Sequence, residues 1–494
     1  MTVRAFRAQT QEIQSYGHAM KNAATVARNA TWLTLQPIVM GIISVMITAL
    51  VARSLGTTNY GILILLLSYA ALFSPISNLG LRPYSVREIA ANRARALEVV
   101  EDMLVLRFSL ALVAAIVATT YLLLSNQQIP GTLIIVLFIQ LVLNALAGCF
   151  IDGLYGIESM KAVATVMGAS GLIVHMACLA AVLLHTGLEG VAWAYTVGSA
   201  ATLTISWFIF RSKVGSFKLR PLHSAHFSHV KNSWTFLFQN LVGTIRQRID
   251  VVLVNSLLGA HAAGIYGSSL TLIQRIDLIQ DGITTALFPR IADLHGKSPD
   301  ELKKLVRGAF KVSLLISTPI AVGLFATAPD IIQLIFGNQY RESAMVLIIL
   351  GLGIPFMFIH GVVVNVLGAM RMQRVVLNIS IAVTTLGIAY MVIGINLAGV
   401  NGAAIAYALG YATFAIAGTV VYWRTVGPPL ALFDIFGIIA TNVAMAGALW
   451  VIRDFGLAPK ILIAAIVFGG SALAFRVVTP AMLRALFGRH QPNR

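Results

Sequence analysis

The chain has 494 residues, of which 58% are apolar and only 11% are charged. Soluble domains carry about 25% charged residues, and a soluble chain of this length would need them to cover two or three hydrophobic cores. The composition therefore excludes soluble enzymes, nucleic-acid-binding proteins and secreted modules as descriptions of the whole chain. Its net charge of +17 is concentrated in alternate loops between apolar segments, which is typical of membrane orientation and not of a nucleic-acid partner.

Apolar segments long enough to cross a bilayer as helices recur along almost the whole chain. The predicted spans number about fourteen: 30–52, 61–81, 104–125, 129–151, 162–184, 189–210, 233–257, 264–288, 308–328, 344–369, 375–395, 402–423, 433–452 and 460–480. The preceding segment 1–29 is polar and mildly basic, and it lacks the apolar region and cleavage site of a secretory signal. We expect this segment to lie on the cytoplasmic surface. The sequence thus predicts an all-α polytopic membrane protein.

Lysine and arginine are distributed very unequally between the two sides of the predicted membrane. Of the 35 basic residues, 28 fall in the N-terminal segment and in the alternate connections and adjoining span ends that share its side, 4 fall on the opposite side or at its span ends, and 3 lie near the middle of spans. Positively charged loops remain on the cytoplasmic side of a membrane. This asymmetry predicts that both termini are cytoplasmic, which requires an even number of spans.

Two segments of the chain repeat one pattern at an offset of 212 positions. Residues 187–198 read GLEGVAWAYTVG and residues 399–410 read GVNGAAIAYALG. Because the pattern recurs after an even number of spans, both copies enter the membrane with the same polarity, as in two-lobed transporters with parallel repeats. The predicted organisation is a cytoplasmic segment 1–29, an N-lobe 30–210 with spans one to six, a loop 211–232, a C-lobe 233–423 with spans seven to twelve, two further spans in 424–480, and a cytoplasmic tail 481–494.

Several short motifs resemble those of a known family. Leu55-Gly56 followed by Tyr60-Gly61, then Asn78-Leu-Gly-Leu-Arg82, and later Phe336-Gly337-Asn-Gln-Tyr340, are similar to motifs of the polysaccharide-repeat flippases. These flippases belong to the multidrug/oligosaccharidyl-lipid/polysaccharide exporter superfamily, and the resemblance covers roughly residues 30–480. The motifs consist mostly of glycine and aromatic residues, so they identify the fold better than the substrate.

The resemblance implies a function as well as a fold. It implies a fourteen-helix flippase of the bacterial inner membrane that moves undecaprenyl-diphosphate-linked sugar repeats to the outer leaflet by alternating access. The implied partners are the lipid-linked oligosaccharide, membrane lipid, and the glycosyltransferases and polymerase of the same pathway. Neither a cofactor nor a metal is implied.

The seventh and eighth predicted spans carry charged residues near their centres. A charged side chain at mid-membrane depth costs about 2.5–3.5 kcal/mol on insertion scales and therefore needs a reason. Arg246 and Asp250 are four positions apart and are predicted to pair along one helix face. Arg248 and Arg275 have no acid three or four positions away, so we expect them to face a central cavity. One interpretation is a set of ion pairs that hold the two helices together, and the other is a cavity wall.

The cavity interpretation fits the chemistry of a lipid-linked sugar. Guanidinium groups bind diphosphate oxygens in a bidentate manner, and side-chain amides bind sugar hydroxyls. Asp277 and Asp281 could also carry a coupling proton. The candidate substrate-binding residues are Arg248, Arg275, Arg246, Asp250, Asp277, Asp281, Gln274, Gln36 and Asn240.

Two other functions remain open from the sequence. A cation-coupled multidrug exporter of the same superfamily would share the fold, but its cavity would favour carboxylates over arginines. A membrane polysaccharide polymerase or ligase would need a sizeable external loop, and the longest external connection predicted here has about 15 residues. No nucleophile–base pair, metal-ligand spacing or phosphate-binding loop is recognisable. We therefore predict a transporter and not an enzyme.

Overall fold

The computed structural model describes residues 2–124, 129–215 and 225–478. Within these ranges, the side chains of residues 2–39 and 225–239, and those of Leu278, Asp281, Ile283, Thr285 and Ala286, are not described. Regular structure in the described residues is helical throughout, without a β-strand. The helices are α1 Thr2–Asn78, α2 Leu81–Ala91, α3 Ala96–Leu124, α4 Gly131–Gly156, α5 Met160–Leu183, α6 Gly187–Val214, α7 Ala225–Leu258, α8 Ala260–Leu294, α9 Pro299–Ile335, α10 Ser343–Leu352, α11 Ile354–Ala369, α12 Gln373–Thr425, α13 Leu432–Val451 and α14 Leu457–Ala474.

The predicted all-α polytopic class is confirmed. The helices are compatible with fourteen spans but do not by themselves fix that number. By length and hydropathy eight described helices could cross a membrane, or nine if the bent pair α10 and α11 forms one span. Two long helices each contain two predicted spans, because α1 is broken at Gly56 (φ 72°) and α12 at Ala398 and Gly399 (φ 57°). Glycine adopts these positive φ values without the steric cost that a Cβ would impose.

The first compact unit comprises residues 1–48 and 73–238. Its helices α3 to α6 pack side by side, and the short helix α2 lies on α4. Bulky apolar side chains fill the space between them, among them Ile89, Phe150 and Phe210. Helices in a membrane associate through close van der Waals packing of such side chains, which explains why these positions are apolar.

The second compact unit comprises residues 49–72 and 239–494. Residues 49–72 belong to the first repeat copy by sequence, yet they pack with this unit. Gly61 and Gly264 mark the contact, since a methyl group on either glycine would overlap the carbonyl oxygen of Ala260 or of Thr57 respectively. The backbones of the two segments therefore touch directly. The proposed lobe boundaries at 30–210 and 233–423 remain a prediction.

Polar contacts fix residues 49–72 to the end of α9 and the loop that follows it. Arg53 donates from Nε to the carbonyl oxygen of Ile335 (2.9 Å) and from Nη2 to that of Leu334. These carbonyls end α9 and have no partner inside the helix, so a guanidinium there acts as a C-terminal cap. Tyr340 donates in turn to the carbonyl oxygen of Ala52 (2.9 Å).

The last two helices are bound to α9 at three levels. Lys311 Nζ lies 2.6 Å from Asp434 Oδ1 of α13, and Lys460 Nζ of α14 lies 2.7 Å from Asp330 Oδ2. Between these ion pairs, Asn442 Nδ2 donates to the Thr318 hydroxyl (2.8 Å). Helices α13 and α14 thus have specific attachments to the unit in addition to apolar packing.

Breaking the Lys311–Asp434 ion pair is expected to destabilise the protein. Lys311 and Asp434 are only 12% and 15% exposed, so Lys311→Ala leaves a carboxylate largely desolvated at a cost of about 1–3 kcal/mol. The measurement is the melting temperature of the purified protein in detergent. Arg453→Ala is the matched control, because the Arg453–Asp454 pair is 67% and 89% exposed and such surface pairs contribute little. Equal melting temperatures for the two variants would contradict this prediction.

Candidate functional site: a polar cavity in the second unit

Asp250 of α7 is a buried carboxylate that binds the neighbouring helix. Its side chain is 1% exposed. The Tyr266 hydroxyl of α8 donates to Oδ2 (3.0 Å), and the backbone N–H of Val251 donates to Oδ1 (2.8 Å). Both oxygens are therefore hydrogen-bonded, which is required of a carboxylate removed from water.

Arg246 of α7 does not form the predicted ion pair with Asp250. Its guanidinium instead lies over the ring of Tyr411 in α12, 5.4 Å from the ring centroid. Among the described residues no ion pair joins Arg246 to an acid. The prediction from i,i+4 spacing was wrong because Tyr266 of another helix supplies the partner of Asp250, while the face of Tyr411 attracts the cation.

Arg246 and Asp250 line a common cavity. The cavity measures about 50 Å³, enough for a few water molecules. Residues of the two halves of α12 complete its wall, among them Thr384, Tyr407 and Tyr411. The Thr384 hydroxyl is buried and has no hydrogen-bond partner within the described part of the chain. A cation, a carboxylate and hydroxyl groups thus meet around a small space inside the second unit.

Aromatic rings form one side of this cavity. The rings of Tyr407 and Tyr411 have centroids 5.0 Å apart, and His360 of α11 lies edge-on to Tyr411 (5.4 Å) and Phe414 (4.4 Å). His360 also lies within electrostatic range of Arg246. Of these rings, that of Tyr411 contacts the guanidinium and does not neutralise its charge.

Residues of α8 extend the polar cluster. Asp277 and Asp250 both lie near enough to the Tyr407 hydroxyl for their charges to interact with it. The charge of Arg275 interacts with the Tyr60 hydroxyl in the segment 49–72. Gln274 is half-buried on the same helix. The charged residues of α8 therefore do not form a single stripe: Asp277 lies near Tyr407, and Arg275 lies near Tyr60.

The other predicted site residues either do not line this cavity or have side chains that lie outside the described residues. Arg248 acts electrostatically on Asp250 but does not line the cavity. Asn240 is exposed. The side chains of Gln36 and Asp281 fall outside the described residues, so their roles remain predictions.

A second charged cluster lies in the first unit, and sequence reasoning missed it. Arg107 of α3 is 1% exposed and donates from Nη2 to Oδ2 of Asp152 in α4 (2.5 Å), whose side chain is 4% exposed. Arg82 of α2 brings its Nε to 3.4 Å from Asp152 Oδ1 and its guanidinium to 4.8 Å from the ring centroid of Tyr155. One buried carboxylate therefore joins three helices.

No group of three metal-binding side chains occurs among the residues that the structure describes. The cavity offers a guanidinium, hydroxyl groups and a hydrogen-bonded carboxylate. These groups are suited to binding oxyanions and exchanging protons.

Comparison with known families gives two matches. Residues 26–295 match the family described as "Polysaccharide biosynthesis protein", and residues 236–393 match the family described as MatE.

Curated relatives match the chain at low identity. A protein of Haloferax volcanii named as a low-salt glycan biosynthesis flippase is 21% identical over 231 residues, 47% of this chain and 48% of its own length. The chain thus spans about half the length of that relative. A protein of Shigella flexneri named as an O-antigen transporter is 21% identical over 416 residues, 78% of this chain and 94% of its own length.

Solved structures that share the fold include a lipid flippase and a multidrug transporter. Lipid II flippase MurJ in an inward closed conformation aligns with a TM-score of 0.69 at 13% identity, covering 90% of this chain and 98% of that one. An inward-facing multidrug resistance transporter of the MATE family aligns with a TM-score of 0.62 at 13% identity, covering 80% and 98%. At these identities the alignments establish the fold alone, and that fold is the one found in polytopic transporters.

Proposed function

We propose a function from the premise that this chain belongs to the polysaccharide biosynthesis protein family. The chain transfers lipid-linked oligosaccharides, carried on a polyprenyl diphosphate such as undecaprenyl diphosphate, from the inner to the outer leaflet by alternating access. It does so for surface polysaccharide synthesis and catalyses no covalent step. It resides in the bacterial inner membrane with both termini in the cytoplasm, next to the glycosyltransferases and polymerase of its pathway.

The relatives support this substrate class. Both curated relatives are named for the transfer of glycans across a membrane, and the Shigella protein matches over nearly its full length. The MatE match and the multidrug-transporter fold favour the second candidate, a cation-coupled drug exporter.

Among the described residues no acid forms an ion pair with Arg246, and this observation favours an anionic substrate. A drug cation would be repelled by a guanidinium without such a partner. A diphosphate would accept charge-assisted hydrogen bonds from it. We also retain Arg248 and Arg275 as proposed contacts of the diphosphate, and Asp277, Asp281, Gln274, Gln36 and Asn240 as proposed contacts of the sugar or of a coupling proton.

Replacing Arg246 is expected to impair transport more than folding. Arg246→Ala should slow the appearance of surface polysaccharide at least about tenfold, because a charged donor of bidentate geometry is lost. Arg246→Lys should recover part of the rate, since it keeps the charge without the fork. The measurement follows sugar repeats on the lipid carrier and on the cell surface in a strain that lacks the chromosomal copy.

The control is Arg453→Ala, which removes an exposed arginine of the second unit. Normal transport by Arg246→Ala at equal protein level would contradict the assignment. Extension or cleavage of glycan by the purified protein would favour the polymerase or ligase alternative.

A further inference from the structure

Arg82 in the first unit has a guanidinium held from two sides. Its Nε lies 3.4 Å from Oδ1 of Asp152, and its guanidinium carbon lies 4.8 Å from the centroid of the Tyr155 ring. Asp152 is itself fixed by the buried Arg107. The position of the Arg82 guanidinium is therefore set by α4 and not by the mobility of a long side chain.

The outer fork of this guanidinium, formed by its two Nη groups, is free to bind a ligand. The Arg82 side chain is 57% exposed. Its two Nη groups have no hydrogen-bond partner within the described part of the chain. A fixed guanidinium that presents two parallel N–H donors to its surroundings is preorganised for bidentate binding.

The cluster of Arg82, Arg107 and Asp152 has two cations and one acid, unlike its charged neighbours. Arg93 pairs with Glu158, and Arg95 pairs with both Glu88 and Glu98. Arg82 and Arg107, in contrast, share the single carboxylate of Asp152. This three-residue cluster therefore carries one net positive charge, and its exposed part is the Arg82 guanidinium.

We propose that Arg82 docks the phosphate oxygens of a lipid-borne ligand at the end of the first unit that the charge distribution predicts to be cytoplasmic. The inference rests on the proposed function, because the diphosphate of a lipid-linked oligosaccharide made on that side offers such oxygens. A phosphate of an ordinary anionic phospholipid has the same chemistry. Arg82 is then a recognition point separate from the cavity around Arg246 in the second unit.

The test measures binding by the full chain in lipid nanodiscs. Farnesyl diphosphate is added to nanodiscs of phosphatidylcholine, and in a second arm part of the phosphatidylcholine is replaced by phosphatidylglycerol. Bound lipid is counted by native mass spectrometry for wild type, Arg82→Ala and Arg82→Lys. The matched control is Arg87→Ala, which removes an exposed arginine of the same helix that has no ion pair among the described residues.

Arg82→Ala is expected to weaken binding of at least one probe by roughly tenfold. Arg82→Lys should lose less, and Arg87→Ala should match wild type. A loss confined to farnesyl diphosphate identifies the substrate as the source of the phosphate, whereas equal losses identify anionic phosphate-bearing lipids in general. Either loss supports the docking point. Wild-type binding of both probes by Arg82→Ala, or an equal loss in Arg87→Ala, overturns it.

Binding by a Tyr155 variant separates the docking point from a folding defect, and a flipping assay separates it from the proposed function. If Arg82→Ala does not fold, Tyr155→Leu removes the ring that steadies the fork without removing a charge, and a several-fold loss is expected. A chain that binds through Arg82 but does not flip lipid keeps the docking point and refutes the proposed function. If Arg82→Ala flips normally and also binds both probes like wild type, the docking point alone is refuted.

Discussion

Replacing Arg107 with Ala is expected to remove most of the folded protein. The change leaves the Asp152 side chain, which is 4% exposed, without its buried partner and with only the longer, 3.4 Å contact to Arg82. Breaking a buried ion pair on one side costs about 3–5 kcal/mol, which is a large fraction of the stability of a folded protein. The measurement is the yield of monodisperse protein after detergent extraction, together with its melting temperature.

Two variants make the result specific to the buried charge. Arg107→Met combined with Asp152→Leu removes both charges and should recover much of the lost yield, because apolar side chains of similar size replace a buried ion pair at little cost. Arg95→Ala removes an exposed arginine of the same unit and should leave the yield unchanged. A melting temperature of Arg107→Ala within about 2 °C of wild type would contradict the assigned role.

Adding a methyl group at Gly61 or Gly264 is expected to separate residues 49–72 from α8. Each methyl would overlap a carbonyl oxygen of the facing backbone, and a backbone atom cannot move aside as a flexible side chain does. The Thr57 hydroxyl and His261 Nδ1 are 2.8 Å apart across this contact, so cysteines at these two positions report on it. Disulfide formation between them should fall at least about tenfold in Gly61→Ala and Gly264→Ala, a change of about 1.4 kcal/mol or more in the contact.

The control for this prediction is Gly308→Ala in α9, where an added methyl meets nothing within 4 Å. The native cysteines Cys149 and Cys178 are both buried and add little background. Unchanged disulfide yield in Gly61→Ala would show that the two backbones do not need to touch.

Hydropathy was sufficient to predict the helical architecture. A membrane forces every backbone polar group to pair within its own helix, so long apolar runs have few alternatives. The glycine motifs were also informative, since Gly56 and Gly399 lie where two long helices break. The packing of residues 49–72 with the second unit was not predictable, because a repeat in sequence shows which segments are related and not which ones touch.

The charged groups were harder to predict than the helices. Arg246 and Asp250 stand at a spacing that favours pairing, yet the structure gives them Tyr411 and Tyr266 as partners. Arg107 lies at one end of the predicted span 104–125, and sequence alone does not reveal that α3 and α4 enclose its side chain together with Asp152. Tyr407 is part of the repeated pattern at 399–410. A repeated residue does not by itself indicate a place beside a cavity.

Transfer of a lipid-linked oligosaccharide by the purified protein tests the proposed function most directly. The protein is reconstituted into liposomes that carry a fluorescent polyprenyl diphosphate oligosaccharide, and an impermeant quencher reports how much of it moves between leaflets. The proposal predicts transfer well above that of empty liposomes, a strong reduction in Arg246→Ala, and no transport of a cationic dye such as ethidium in the same vesicles. Transport of the cationic dye with no transfer of the lipid-linked sugar would contradict the proposed function and favour the drug exporter.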